Sequence, residues 1–155
     1  MAQNYLRRLP CFIILRLSMS KWLSSKKIRP WLIRRAGIKL GRNAHIGANV
    51  TFDTIDHRLF DIGHDVVITM NTVLLTHFLK PQADGRLKWY HGKLIIGNHV
   101  FVGANSVIAC PVTIGSNVVI AAGSVVTHDI PSDCLVGGVP AKVLKKFVVE
   151  EKTGV

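Results

Sequence analysis

Residues 96–131 read IGNHVF VGANSV IACPVT IGSNVV IAAGSV VTHDIP, which is six consecutive hexads without an insertion. The first position of every hexad is aliphatic: Ile96, Val102, Ile108, Ile114, Ile120 and Val126. Neither the helical period of about 3.6 residues nor the strand period of about two residues produces this recurrence. A six-residue repeat is typical of a parallel β-helix, in which successive turns of one coil stack their short strands. The sequence therefore predicts an all-β solenoid.

The repeat extends towards the N-terminus but is interrupted twice. Hexads at 40–51 and 62–79 are separated by residues 52–61, and residues 80–95 precede the long uninterrupted run. The second interruption contains Pro81, an Asp84–Gly85 turn signal and the pair Trp89–Tyr90. A segment of this length that leaves a regular solenoid is more often functional than disordered. We therefore expect a loop over residues 78–95 that leaves the coil next to a functional site.

The two ends of the chain differ in pattern from the repeat, which divides the sequence into three parts. Residues 1–37 alternate apolar and basic side chains, and Pro10 and Pro30 should divide them into short amphipathic helices. The repeat occupies residues 38–139. Residues 140–155 begin PAKVLKKFVVEE, which predicts a C-terminal helix that starts at its proline. Because the terminal coils of a solenoid expose unpaired strand edges, we expect the N-terminal helices to cap one end and the C-terminal helix the other.

The net charge of +11 is concentrated near the N-terminus, since residues 1–42 hold 11 of the 20 Lys and Arg residues and no Asp or Glu. A basic segment that carries tryptophan can lie on an anionic membrane surface. Residues 1–36 are therefore predicted either to cap the coil or to bind such a surface. The same charge would suit phosphate contacts, but the sequence has no recognised nucleic-acid motif, and we expect no nucleic-acid partner.

The N-terminal apolar run LPCFIILRL, at residues 9–17, is interrupted by Arg16 and is shorter than the roughly 20 residues that span a bilayer. No small-residue cleavage site follows it. The three cysteines are far apart and form neither a redox pair nor a metal-ligand pattern, which favours a reducing compartment. We therefore expect a cytoplasmic protein, which would be peripheral to the inner face of the membrane if the N-terminal segment binds lipid.

His77 is the histidine whose position is most suggestive, because it ends the last regular segment, LLTH, before the second interruption. A neutral imidazole at that point could act as a general base near neutral pH, or it could be a loop histidine that hydrogen-bonds locally. The histidines considered as metal ligands, which are His77, His91, His99 and His128, show no close pair along the chain. The sequence therefore predicts no metal site.

The stretch from Ile62 to Phe147 resembles the hexapeptide-repeat acetyltransferases of the left-handed β-helix superfamily, and above all the bacterial sugar and surface-polysaccharide O-acetyltransferases. Three elements carry the likeness. They are VLLTH before a loop that closes at HGKLIIGNHVFVGANSVI, the run IGSNVVIAAGSVVTHDIP, and the ending GGVPAKVL. The resemblance implies left-handed coils of three hexads each, at 62–79, 96–113 and 114–131. It also implies a homotrimer whose active sites lie in clefts between neighbouring coils.

The resemblance implies an enzyme that transfers an acetyl group from acetyl-CoA, as co-substrate, to a hydroxyl of a sugar or glycan precursor. His77 matches the catalytic histidine of the family. It would remove the proton from the acceptor hydroxyl while that oxygen attacks the thioester carbonyl, in a direct transfer within a ternary complex. Positioning of the two substrates would supply much of the rate.

Six further positions match the cofactor-binding positions of the family. Ala104 and Ala122 match sites whose small side chains let the pantetheine arm lie against the coil. Thr127 and His128 match a Thr-Lys pair in which His replaces Lys. Lys142 and Lys145 would meet the 3′-phosphate of CoA as point charges.

Acceptor binding is the least specified part of this hypothesis. Trp89 and Tyr90 could stack against a sugar face or hold the loop in place. Asp53, in the first interruption, could orient His77, bind acceptor hydroxyls or form a turn. The alternatives that stay open are an acyltransferase for another acceptor, such as an amino sugar nucleotide, an amino acid or an antibiotic, and a non-enzymatic basic β-helix scaffold.

Overall fold

The chain forms a coil of short strands, as given by a computed structural model that describes Ile13 and residues 28–148. Helix α1 (Ile28–Arg35) precedes the coil. Coil 1 comprises β1 (Lys39–Leu40), β2 (His45–Ile46) and β3 (Thr51–Phe52), and coil 2 comprises β4 (Phe60–Ile62), β5 (Val67–Ile68) and β6 (Val73–Leu74). Coil 3 comprises β9 (Leu94–Ile96), β10 (Phe101–Val102) and β11 (Val107–Ile108), and coil 4 comprises β12 (Thr113–Ile114), β13 (Val118–Ile120) and β14 (Val125–Val126).

The remaining strands lie outside these four coils. They are β7 (His77–Pro81) and β8 (Leu87–His91) between coils 2 and 3, and β15 (Cys134–Gly137) and β16 (Lys142–Lys146) after coil 4. A 3-10 helix, His57–Leu59, lies between coils 1 and 2.

Three parallel sheets form the sides of the coil, because each coil contributes one strand to each sheet. The first sheet has the order β1-β4-β9-β12, the second has β2-β5-β10-β13-β15 with β16 at its edge, and the third has β3-β6-β11-β14. We call the turns from the first to the second sheet the first corner (41–44, 63–66, 97–100, 115–117). The second corner joins the second and third sheets (47–50, 69–72, 103–106, 121–124). The third corner returns to the first sheet (53–59, 75–93, 109–112, 127–129). The predicted parallel β-helix is confirmed.

The strand register shows where the interruptions of the repeat leave the coil. Residues that stack between coils 3 and 4 are 18 positions apart, as in the Asn98–Ser116 contact. The separation rises to 34 between coils 2 and 3, and it is 22 between coils 1 and 2. All three sheets keep these separations, so the additional residues are confined to the third corner.

The interior of the coil is a column of aliphatic side chains with small polar residues at the corners. The inward residues of the long run are almost fully buried, including Ile96, Val102, Ile108, Ile114, Ile120 and Val126. Ser106 and Ser124 are also buried, and both hydroxyls donate to the Ala121 carbonyl. Burial of apolar surface stabilises the fold by roughly 25 cal/mol per Å², which explains why the first position of each hexad is aliphatic. At Gly103, a Cβ would lie 2.4 Å from the backbone nitrogen of Ala122, so the stacked coils require glycine there.

The first and second corners turn through residues in the left-handed region. Among the described non-glycine residues with positive φ, seven are Asn or Asp and the eighth is His99. The seven are Asn43, Asn49, Asp65, Asn71, Asn105, Asn117 and Asp133. Asn and Asp tolerate this conformation better than other side chains because they hydrogen-bond locally. The corner residues are therefore set by backbone geometry rather than by the aliphatic pattern.

The second interruption forms an antiparallel hairpin where the sequence predicted a loop. β7 and β8 are paired along their whole length, with His77 opposite His91 at one end and Pro81 opposite Leu87 at the other. The hairpin turns at Asp84–Gly85, as the turn signal predicted, and Gly85 has a φ of 78° that suits glycine. The hairpin pairs with itself, which satisfies the backbone groups that face each other across its two strands in a segment that leaves the three sheets.

The predicted C-terminal helix is wrong within the described residues. Residues 142–146 form β16, which pairs antiparallel with β15, and the Ala141 N–H donates to the Val125 carbonyl at 2.8 Å. The edge of β15 would otherwise expose unpaired backbone groups. A strand satisfies those groups directly, which a helix packed on the edge could not do, and this gain exceeds the small energetic preference of each lysine for a helix. The end of the coil is therefore covered by a strand.

The N-terminal prediction is tested only in part. Helix α1 packs on coil 1 through buried Ile33, and the Arg29 guanidinium donates to the Ile46 carbonyl at 2.8 Å. Pro30 lies in its first turn. Pro10 and the rest of the segment before residue 28, except Ile13, lie outside the described residues. Within the part of the chain that the structure describes, no helix has the length and apolar character that a membrane crossing requires.

Candidate active site

The third corner brings Asp53 and His77 together. Asp53 directly follows β3, and His77 begins β7, three residues after the end of β6. Because Phe52 pairs with Leu74, these two segments leave the third sheet on adjacent coils, which are about 4.8 Å apart. The Asp53 carboxylate and His77 Nδ1 are within hydrogen-bonding distance. Residues 24 positions apart in sequence thus become direct partners.

The Asp53 carboxylate is buried and held by several donors besides His77. The Thr76 N–H and hydroxyl donate to Oδ2 at 2.9 and 2.8 Å, and the Ile55 N–H donates to Oδ1 at 3.1 Å. The side chain of Asp53 is only 3% exposed. Burial opposes ionisation, but the hydrogen bonds from Thr76, His77 and Ile55 outweigh it and hold the pKa of Asp53 below its ordinary value. The site therefore contains a fixed, buried negative charge.

This carboxylate determines what the His77 ring can do. An anionic acceptor at Nδ1 selects the tautomer that carries its proton on Nδ1, which leaves the lone pair of Nε2 free. The His77 side chain is 24% exposed, so the ring is accessible while its orientation is fixed. The arrangement can accept a proton at Nε2 from a group that enters from the solvent side.

A cleft of about 300 Å³ adjoins His77 and is lined by Ile55, His77, Trp89, Tyr90 and His91. The centroids of the His77 and Trp89 rings are 5.2 Å apart, and the rings are inclined at 45°. The Trp89 residue is 59% exposed. Its indole therefore forms an accessible aromatic wall beside the histidine.

Tyr90 has additional contacts within the hairpin. Its ring stacks on that of Phe78, with a centroid distance of 5.5 Å and an interplanar angle of 21°. The Gln82 side-chain amide donates to its hydroxyl at 3.3 Å. Tyr90 thus holds the two strands of the hairpin together in addition to lining the cleft.

The six residues matched to cofactor binding fall into separate groups. Ala104 and Ala122 stack at the second corner, where the Gly123 N–H donates to the Ala104 carbonyl at 2.8 Å. Thr127 and His128 lie at the third corner, and the Thr127 hydroxyl is 2.8 Å from His128 Nδ1. The third sheet separates these two corners, so Ala104 and Ala122 are at the opposite end of that sheet from His77.

Lys142 and Lys145 lie on β16 and are exposed. The strand starts beside Val125, because the Ala141 N–H donates to the Val125 carbonyl. Lys142 therefore begins β16 close to the second corner of coil 4, where Ala122 lies.

Two residues of the site were not identified from the sequence. Thr76 precedes His77 in LLTH, and Ile55 lies in the first interruption. Thr76 contributes two of the hydrogen bonds to Asp53, and Ile55 contributes one and also lines the cleft. A threonine before a functional histidine is a weak signal, and a backbone N–H leaves no signal in a sequence. The Thr76 contact depends on the stacking of coils 1 and 2, whereas the Ile55 contact joins residues two positions apart in one loop.

Comparisons with known proteins agree with this architecture. A family model described as the hexapeptide repeat of succinyl-transferase matches residues 33–53 and 93–128. The galactoside O-acetyltransferase of Escherichia coli (strain K12) is 34% identical over 128 residues, which are 79% of this chain and 63% of that protein. The chain thus spans less than two thirds of the length of this curated relative.

Solved structures with the same fold cover most of the chain. A maltose O-acetyltransferase from Clostridium difficile 630 superposes with a TM-score of 0.70 and 25% identity, over 91% of this chain and 86% of that one. A galactoside acetyltransferase in complex with coenzyme A has a TM-score of 0.70 and 28% identity, over 91% of this chain and 80% of that one. These neighbours imply that the coil is left-handed.

Proposed function

Because this chain belongs to the hexapeptide-repeat acetyltransferase family, we propose that it is an O-acetyltransferase that modifies a sugar or a surface-polysaccharide precursor with acetyl-CoA as co-substrate. The relatives named for galactoside and maltose acetylation, one of them bound to coenzyme A, support this substrate class. The observation that carries the proposal is the buried Asp53 carboxylate at Nδ1 of His77, beside a cleft with an exposed indole wall.

His77 acts as the general base in the proposed reaction. Its Nε2 takes the proton of an acceptor hydroxyl while the hydroxyl oxygen forms a bond to the thioester carbonyl carbon. The resulting tetrahedral intermediate collapses as the carbon–sulfur bond breaks. The proton held on Nε2 then passes to the departing thiolate, so the products are the O-acetyl sugar and free CoA thiol. Transfer is direct within a ternary complex, and no acyl-enzyme forms.

Asp53 is a positioning residue in this proposal. Its carboxylate is buried and accepts hydrogen bonds from Thr76 and Ile55 as well as from His77, which leaves little of it accessible to an acceptor sugar. It fixes the Nδ1–H tautomer and stabilises the imidazolium that forms during transfer. The role of Asp53 is thus to hold His77 rather than to bind substrate.

The small residues of the second corner are proposed to form the wall for the pantetheine arm. Gly103 has no room for a side chain, and Ala104 and Ala122 keep the corner shallow. Because these residues lie at the other end of the third sheet from His77, the two sets would meet in a cleft between two protomers. This separation supports a homotrimer in which one protomer supplies His77 and its neighbour supplies Ala104 and Ala122.

Trp89 is proposed to stack on the apolar face of the acceptor sugar, since its indole is accessible and lies beside the His77 ring. Tyr90 supports the hairpin that carries it. Thr127 and His128 at the third corner, and Lys142 and Lys145 on β16, are proposed to contact the remainder of the CoA molecule. Lys142 and Lys145 are exposed and follow the second corner, which suits attraction of a phosphate group.

The proposal is tested by acetyl-CoA-dependent release of free thiol across a panel of galactosides, maltose, other oligosaccharides and amino sugars. The expected result is release with a neutral sugar and an O-acetyl product identified by mass spectrometry. Calorimetric titration with CoA serves as a separate measurement. Failure of the chain to bind CoA would contradict the proposed acetyltransferase activity. Formation of an N-acetyl product alone would show that the acceptor group is an amine and not a sugar hydroxyl.

The basic N-terminal part is proposed to bring the enzyme to an anionic membrane surface, where lipid-linked glycan units would be accessible. Trp31 is 57% exposed on α1, and Arg35 in the last turn is also exposed. Deletion of residues 1–27, which keeps α1 but removes six of the eleven basic residues of segment 1–42, should reduce co-sedimentation with phosphatidylglycerol vesicles, and Trp31→Ala in the shortened chain should reduce it further. Neutral phosphatidylcholine vesicles are the control. Equal binding of the full and shortened chains to the anionic vesicles would reject this part of the proposal.

A further inference from the structure

The first corner contains a cluster of two histidines and an aspartate that the acetyl-transfer site does not use. His64 and Asp65 lie on coil 2, and His99 lies at the equivalent corner of coil 3. One oxygen of Asp65, Oδ2, is 2.7 Å from His64 Nδ1 and 3.9 Å from His99 Nδ1. The imidazole rings of His64 and His99 are perpendicular, with centroids 5.3 Å apart. Two nitrogen donors and one carboxylate oxygen therefore converge on one point of the surface.

His99 is unusual at its position, because the other described non-glycine residues with positive φ are Asn or Asp. At this corner, the side chains of these residues bond to one another between coils. The Asn43 amide donates to Asp65 at 3.0 Å, and the Asn117 amide donates to Asp133 at 2.8 Å. His99 lies between these two pairs. It places an imidazole at a position where an Asn amide could bond to the corner side chain of a neighbouring coil. Histidine is among the side chains that adopt the left-handed region more often than most, so the backbone permits it here but does not select an imidazole over the Asn or Asp found at the equivalent positions.

We propose that His64, Asp65 and His99 bind a divalent transition-metal ion such as Zn²⁺. One ligand atom from each side chain lies within 4.8 Å of the other two. Zinc binds histidine nitrogen and carboxylate oxygen at about 2.0–2.2 Å, so three ligands around one ion lie up to roughly 4 Å apart. Small rotamer changes in these partly exposed side chains would complete that geometry. Water would occupy the remaining coordination positions, because the cluster is open to solvent.

The ion would connect coils 2 and 3, which is the junction where the hairpin leaves the coil. His64 and His99 are distant in sequence. One ion bound by both would therefore cross-link the two ends of the segment 64–99, which contains the whole hairpin. Ligand binding to the folded state alone raises the free energy of unfolding in proportion to the logarithm of ligand concentration. The cluster is at the first corner and His77 is at the third, so the proposed role is structural and independent of acetyl transfer.

The sequence did not predict this site, and the reason is the route of the chain. The histidines His77, His91, His99 and His128 were considered as ligands by their spacing, and His64 was not among them. Ligand spacing along the chain detects sites formed by one turn or one helix. In a stacked coil, residues 34 positions apart lie on neighbouring turns, as the His64–Asn98 contact shows.

The test uses the full chain without an affinity tag, after treatment with EDTA and its removal. Isothermal titration with Zn²⁺ should show one site per chain, and Co²⁺ should give the visible d–d absorption bands of an ion bound by nitrogen and oxygen ligands. His99→Asn should remove both signals. Asparagine occupies the equivalent positions of coils 1 and 4, Asn43 and Asn117, so this variant should fold at least as well as the natural chain. Asp65→Asn should weaken binding by at least about tenfold.

His91→Asn is the matched control, because His91 lies opposite His77 on the hairpin and offers another histidine pair. It should bind Zn²⁺ as the natural chain does. Zinc should also raise the unfolding temperature of the natural chain and of His91→Asn, but not that of His99→Asn. Unchanged Zn²⁺ affinity in His99→Asn would overturn the proposal. Loss of the site in His91→Asn, or no binding to the natural chain at millimolar Zn²⁺, would overturn it equally.

Discussion

The uninterrupted coils and the third corner of coils 1 and 2 use their residues in opposite ways. In coils 3 and 4, every hexad places an aliphatic side chain in the interior, and backbone groups pair with the coils above and below. At the third corner, the chain leaves the sheets, and the hairpin exposes Leu79, Leu87 and Trp89. Regular stacking pairs the backbone N–H and C=O groups of neighbouring coils. At the interruptions, the chain leaves the sheets and its polar side chains can form a site. The site therefore forms where the repeat fails.

The largest expected effect is that of His77→Ala on acetyl transfer. Loss of a general base typically lowers kcat by about 10²- to 10⁴-fold. The thiol-release assay measures the rate, and the thermal unfolding temperature should stay close to that of the natural chain. His45→Ala, which removes an exposed histidine on β2 outside the cleft, is the control and should keep most of the activity. Activity of His77→Ala within a factor of about ten would contradict the assignment of His77 as the base.

A pair of leucines compares the stability of the two regions directly. Leu94 in β9 is fully buried, and Leu87 in β8 is 62% exposed. Leu94→Ala should lower the free energy of unfolding by about 2.7–5.0 kcal/mol, since it removes buried methyl groups and leaves a cavity. Leu87→Ala should change it by about 0.5 kcal/mol or less. Denaturant unfolding measures both, and a cost at Leu87 as large as that at Leu94 would show that a neighbouring protomer covers the hairpin.

Asp53→Asn tests the positioning role with a smaller expected effect. An amide keeps the size of the side chain but removes the negative charge that fixes the Nδ1–H tautomer of His77. Groups that orient a metal-bound histidine typically contribute about 10- to 100-fold in activity, and we expect an effect of that size for the carboxylate that orients His77. We expect kcat to fall by that amount while KM for acetyl-CoA and for the sugar stays nearly constant. A rise in KM for the sugar with unchanged kcat would instead indicate that Asp53 binds the acceptor.

The smallest expected effect is a pH dependence of stability from the same residue. Burial disfavours the charged form of Asp53, but hydrogen bonds from Thr76, His77 and Ile55 hold its folded pKa below the ordinary value of 3.8. Its ionisation thus stabilises the fold fully above that value, and this contribution is lost as the pH falls through the folded pKa. The stability difference between the natural chain and Asp53→Asn should therefore shrink on acidification. A difference that grows towards low pH would contradict the direction of the shift.

Residues of the candidate site differ in how far the sequence could predict them. His77 was identified from its place before the interruption and from the family resemblance, and orienting His77 was one of three roles left open for Asp53. The sequence could not select this role, because the stacking of Phe52 on Leu74 depends on how many residues leave the coil between β3 and β4. The helix predicted after residue 140 was wrong because the unpaired edge of β15 is absent from any local pattern. The edge is a property of the assembled coil.

The sequence alone determined the coil, since a six-residue repeat of aliphatic side chains fits the three-sided solenoid and is incompatible with a helix or a simple sheet. It also determined where the coil is interrupted. The tertiary structure decided which distant side chains meet: Asp53 with His77 at the third corner, and His64 and Asp65 with His99 at the first. Stacking converts separations of 22 and 34 residues into neighbouring turns about 4.8 Å apart. The repeat follows from the burial of one aliphatic side chain in each hexad, which is visible in the local sequence. The contacts of Asp53 with His77 and of His64 and Asp65 with His99 depend on the register between turns.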